Sequence, residues 1–188
     1  MKKLIFVFFT ICIAINLSAQ DTKLPISIAY YTPYAINPGL KIGTAFQLKT
    51  INTSGDKLQT LSVNPQIGFW NSSIYDNNIH RTLVADAHLN YKRYTMNQQF
   101  YGLTGIGLSY QLELQRTGLN LDLSTGDSTS DTKSIHSFIP MFNLGFGKDY
   151  DRLGYYFKGF VGQRFAISDS NSLFAGAELG FTFFLIKE

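Results

Sequence analysis

Beyond Cys12 the sequence contains no cysteine. That excludes a disulfide framework and a zinc–thiolate centre from everything downstream. Long apolar runs are missing after Ile15, and a helix that crosses a bilayer needs about 20 consecutive apolar residues. Charge of one sign is scarce as well: 16 Lys plus Arg stand against 13 Asp plus Glu. No basic stripe is present, so nucleic acid is not an expected partner. Proline occurs only 5 times, which leaves long stretches free to form strands, and what fills them is 16 Gly, 16 Phe and 11 Tyr.

The first residues form a separate unit. Lys2 and Lys3 precede an apolar run from Leu4 to Ile15, and "LSAQ" at 17–20 offers a small-residue cleavage site. This is the layout of a secretory signal peptide of the Sec type, so residues 1–19 are expected to be removed after Ala19. The run is too short for a retained membrane helix. Cys12 lies inside it, and position 20 is Gln, so no lipid anchor is expected. Residues 20–188 are expected to form one exported domain.

Turn signals divide that domain into eight segments, at 24–32, 38–50, 58–71, 80–94, 99–115, 137–149, 152–166 and 172–186. Most are far longer than the globular mode of about five or six residues, and they exceed the 9–11 that a tilted transmembrane strand requires. The turns at 95–98 and 149–151 are short, while the connections at 72–79 and Arg116–His136 are longer. Eight strands with short turns on the side of both termini and longer loops opposite make an outer-membrane pattern. Within the long connection, "LNLDL" changes the parity of its apolar residues, so Gly118 is expected to mark a bulge in a hairpin that protrudes from the barrel. Pro65 and Pro140 each remove a ladder donor, and a bulge or strand end is expected at each.

Two faces alternate along these segments. One carries Leu40, Ile42, Ile67, Phe69, Leu83, Leu89, Ile106, Leu108, Phe138, Phe142, Leu144, Phe146, Leu179 and Phe181. The other carries Lys41, Lys49, Gln66, Asp86, His88, Asn90, Lys158, Arg164 and Glu178, interleaved with Gly43, Gly68, Gly105, Gly107, Gly145, Gly147, Gly176 and Gly180. A water-facing surface has no reason to select glycine, whereas a narrow interior filled by interdigitating side chains does. Tyr91, Tyr94, Phe100, Tyr101, Tyr150, Tyr155 and Tyr156 gather beside the short turns, where an interfacial aromatic girdle is expected. The apolar face is therefore assigned to lipid. The fold class is all-β, an eight-stranded antiparallel up-and-down transmembrane β-barrel located in the outer membrane.

Residues 20–188 resemble the small eight-stranded outer-membrane barrels, particularly those of the Bacteroidota. The resemblance is carried by "LSAQ", by "NPGLKIGTAFQL" at 37–48 and by the aromatic last strand "AGAELGFTFFL" at 175–185. It implies insertion by the barrel-assembly machinery into outer-membrane lipid. Such families close the last strand with a terminal aromatic residue, and this chain runs on to "IKE" instead.

The candidate chemistry lies inside and above the barrel. Lys41, Asp86, His88, Glu113, Lys158, Arg164 and Glu178 are expected to form a polar network that seals the lumen, because buried charges need partners. Glu178 is expected opposite Phe160, within reach of Lys158. Asp122, Asp127 and Asp131 lie in the long outer connection, where an interaction with an unknown surface partner is expected. Their spacing does not match an EF-hand, and no metal or cofactor is expected. A barrel enzyme acting on lipid A uses a His and a Ser two residues apart, but Ser137 directly follows His136 and so faces the other way. The expected function is a non-enzymatic surface or structural component. The alternatives are a soluble periplasmic barrel for a lipophilic ligand, a lipid A-modifying enzyme and a small pore.

Overall fold

A computed structural model of the chain describes residues 23–34, 37–53, 57–71, 80–95, 99–121, 128–167 and 171–186. The expected signal peptide of residues 1–19, with Cys12, and Asp122 and Asp127 lie outside the described residues. Among the described residues the strands are β1 Lys23–Pro33, β2 Gly39–Thr44, β3 Phe46–Thr53, β4 Lys57–Asn71, β5 His80–Tyr94, β6 Phe100–Leu121, β7 Ser128–Asp149, β8 Leu153–Ala166 and β9 Ser172–Ile186. β2 and β3 are two halves of one strand broken at Ala45, since both pair with β4 in a single register, Ile42 opposite Ile67 and Phe46 opposite Val63. Every neighbouring pair is antiparallel, and β1 pairs with both β2 and β9. The sheet is therefore a closed barrel of eight strands, which leaves it no edge around its circumference.

The greasy face looks outward. Ile67 is 64% exposed, Leu144 63% and Phe146 61%, and the same face of every strand carries large exposed apolar residues. The inward face holds Lys41, Asp86, His88, Lys158 and Glu178, all buried. This disposition suits a lipid surround and overturns the soluble-barrel alternative, which needs the apolar set inside.

Large inward side chains are accommodated by a recurring cross-strand device. His88 lies opposite Gly107, Tyr101 opposite Gly147, Tyr156 opposite Gly180 and Phe160 opposite Gly176. Each ring covers the glycine on the next strand. A Cβ at Gly176 would lie 2.5 Å from Phe160 Cζ, and one at Gly180 would lie 2.6 Å from Tyr156 Oη. The glycines are thus the space into which the interior side chains fold, which is how so narrow a barrel is filled.

Several expectations need correction. The long connection from Arg116 to His136 is mostly strand, because β6 and β7 continue to Leu121 and Ser128 as a two-stranded ribbon. The bulge falls at Gly118 as expected, where the register shifts between Thr117 and Leu119. Pro65 and Pro140 sit within their strands rather than at ends or bulges. Pro65 still pairs with Ala87, and Pro140 with Leu108. Their missing donors face the other neighbour, at the Ala45 break and at the gap between the Phe138–Phe165 and Met141–Gly162 rungs.

Lys49 is exposed and lies opposite Leu61, an outward residue. A bulge between Gln47 and Lys49 reverses the parity there. Tyr101 and Tyr156 are buried inside the barrel rather than placed in the girdle.

Candidate functional site

The interior is layered. The outward half of the barrel holds an apolar cluster of Tyr31, Trp70, Val84, Ile139, Met141, Phe160 and Phe174. Toward the termini a second cluster joins Ala29, Tyr101, Leu103 and Tyr156. Between them lies the charged centre, carried by β2, β5, β8 and β9. Lys41 Nζ pairs with Asp86 and stands 3.5 Å from Glu178 Oε2, which Lys158 Nζ approaches at 3.2 Å. Two cations and two carboxylates make this centre neutral in sum, so no single charge is left buried without a counter-ion.

Neutral groups complete the centre. Tyr156 Oη donates to Glu178 Oε1 at 2.5 Å, and Gln66 Nε2 donates to the same oxygen at 3.1 Å. His88 Nε2 is 3.7 Å from Asp86 Oδ2, while its Nδ1 is 3.2 Å from Asn143 Nδ2. The Lys41 ammonium also stands 3.5 Å from the centre of the Tyr31 ring, a contact that strengthens when water is excluded. The ladder places Glu178 directly opposite Lys158, with Phe160 opposite Gly176. The expected Glu178–Phe160 register is therefore corrected by two positions, because the β8–β9 hairpin closes earlier than the expected turn at Asp169.

Two further ion pairs cap the ends. Arg164 Nη2 lies 2.7 Å from Glu113 Oε2, and Arg164 Nε donates to Ser137 Oγ at 3.0 Å. At the opposite end Lys92 Nζ is 3.4 Å from Asp149 Oδ2, which also accepts from Tyr94 Oη at 2.8 Å. The role of Asp149 is absent from the sequence-based set, because "DYD" reads as a turn. The apolar clusters are absent from it too, since adjacent pairs such as Tyr30 and Tyr31 carry no parity signal.

The structure brings all seven expected interior residues inside the barrel, as one central cluster and the Arg164–Glu113 pair. Asp131 is placed in β7 by its backbone alone. Among the described residues no group of three or more His, Cys, Asp and Glu side chains has the arrangement of a metal site.

Outside the wall, Tyr110 Oη is 2.6 Å from His136 Nδ1. Ser137 points inward and is fully buried, so it does not meet His136, whereas Ser134, two residues before His136 on β7, shares its outward face. The fold is that of a small outer-membrane β-barrel.

Among solved structures, the outer membrane enzyme PagL is similar with a TM-score of 0.54 and 11% identity, over 85% of this chain and 98% of that one. Neisserial surface protein A is similar with a TM-score of 0.50 and 8% identity, over 86% and 95%. A major outer membrane protein from Thermus thermophilus is similar with a TM-score of 0.50 and 12% identity, over 88% and 100%. No family model matches the sequence, and no curated protein matches it. At these identities the likeness establishes the barrel and its outer-membrane type of architecture.

Proposed function

We propose that the chain is a non-enzymatic surface component of an outer membrane, anchored by a filled barrel and acting through the β6–β7 ribbon. The observation that carries this is the mismatch of strand lengths. β6 and β7 are both 22 residues long, but β5 leaves β6 at Gln115 and β8 leaves β7 at Ser137. Beyond those rungs the two strands pair only with each other, to Leu121 and Ser128. Six residues of β6 past the last β5 rung correspond to about 20 Å of projection. Asp131 pairs with Thr117 near the base of the ribbon, and with Asp122 and Asp127, which the sequence places between the two strands, it makes the acidic set where we place contact with a partner.

The filled interior supports a closed barrel over a pore. Export by a Sec signal peptide, insertion by the barrel-assembly machinery and membership of the Bacteroidota type belong to the same proposal, on the sequence features of residues 1–20 and 175–185. The test is an epitope inserted between Asp122 and Asp127. Antibody should label it on intact cells, and the purified protein should migrate differently when unheated and heated. Discrete conductance steps in a planar bilayer would overturn the closed barrel. An epitope reached only after lysis would overturn the surface role.

A further inference from the structure

The lipid-facing wall is hollowed across β5, β6 and β7. Ala87, Leu108 and Pro140 lie in one row across β5, β6 and β7. The small alanine and the compact proline leave a groove of about 660 Å³ flanked by Leu89, Ile106 and Phe142, within the range of about 300–1,000 Å³ for ligand sites. The row above is Ala85, Tyr110 and Phe138, the next Leu83, Leu112 and His136, and the next Arg81, Leu114 and Ser134. His136 stands four residues outward from Pro140, about 13 Å along the strand. Its carbonyl accepts the Ile167 N–H at 3.0 Å, where β7 parts from β8. His136 thus marks the outer margin of the apolar belt, and the groove begins two rows below it, past Tyr110 and Phe138.

The polar groups at that margin have one character. The Tyr110 hydroxyl and His136 Nδ1 share a hydrogen bond of 2.6 Å, which leaves Nε2 as the second polar atom of the ring. Arg81 and Ser134 are exposed on the row above, and no carboxylate occupies any of these four rows.

We infer that this wall binds one outer-leaflet lipid, with an acyl chain in the groove and a phosphate-bearing headgroup against His136, Ser134 and Arg81. A lipid is the occupant because the groove opens within the membrane-facing belt and its polar margin lies at headgroup height. The inference rests on the membrane placement proposed above.

The test uses the full-length protein released from detergent in native mass spectrometry, with phosphatidic acid or phosphatidylcholine of identical chains added. Phosphatidic acid should be retained roughly tenfold over phosphatidylcholine, the size of one charge-assisted hydrogen bond. The double variant Arg81→Gln/His136→Gln should lose that preference. Ala87→Phe, and independently Leu108→Trp, should reduce retention of both lipids while keeping the heat-dependent gel shift. Equal retention of the two lipids by the wild type, or a preference unchanged in the double variant, would overturn the site. A change in subunit number caused by Ala87→Phe would also overturn it and assign the groove to a second copy. Absence of the gel shift in the wild type would instead strike at the barrel reading.

Discussion

Lys41 has three partners at the barrel's centre: the Asp86 carboxylate, the Glu178 carboxylate and the Tyr31 ring. Glu178 has a second cation in Lys158, while Asp86 has only His88 besides. Replacing Lys41 by Met therefore leaves Asp86 as a buried charge with a weak partner, a change that costs about 3–5 kcal/mol. The double variant Lys41→Met/Asp86→Leu should recover much of that loss, because the stranded charge goes with its partner. Urea titration of the folded, unheated gel band would show both effects. Equal destabilisation of the single and double variants would mean that Asp86 draws its stability from elsewhere.

At the scale of the strand, orientation decides what a substitution costs. Leu144 faces lipid near the middle of the part of β7 that pairs with β8, Ser137–Asp149, and Leu144→Arg should destabilise the barrel by about 2–4 kcal/mol. Lys49→Ala, on an exposed site beyond the bulge, should leave stability unchanged within about 0.5 kcal/mol. Gly180→Leu should be far worse than either glycine-to-alanine or surface changes, because Tyr156 already occupies the space over that backbone. The folded fraction after refolding into micelles would rank the three. Much of this was legible beforehand: period-two alternation oriented β2, β4, β5, β7, β8, β9 and the wall segment of β6, while β1 was assigned no face. Lys49 escaped because Leu48 adds one residue to the ladder. Tyr31 and Trp70 escaped because an apolar residue on the polar face looks, in sequence, like an interruption of the pattern. The pairing of Glu178 with Lys158 depended on where a loop closes, which alternation does not record.

For the molecule as a whole, anchor and extension are separable. The barrel closes through β1 and β9, and the described residues of both apolar clusters lie on the wall strands. Replacing residues 117–131 by a short turn should therefore keep the heat-dependent gel shift and membrane location while removing the surface-exposed segment. Protease added to intact cells would check this, since it should clip the full-length protein and spare the shortened one. Loss of folding on shortening would instead make the ribbon part of the assembly nucleus.

Pro65 and Pro140 give the wall a property of another kind. Each leaves one side of its strand fully laddered and the other missing rungs, opposite β4 at the break between β2 and β3 and between β7 and β8. Apart from the bulge between Gln47 and Lys49, the described wall is otherwise a continuous set of ladders. These two seams are where deuterium should enter first, so the exchange map of the intact barrel is expected to show two fast lines, each running beside a proline.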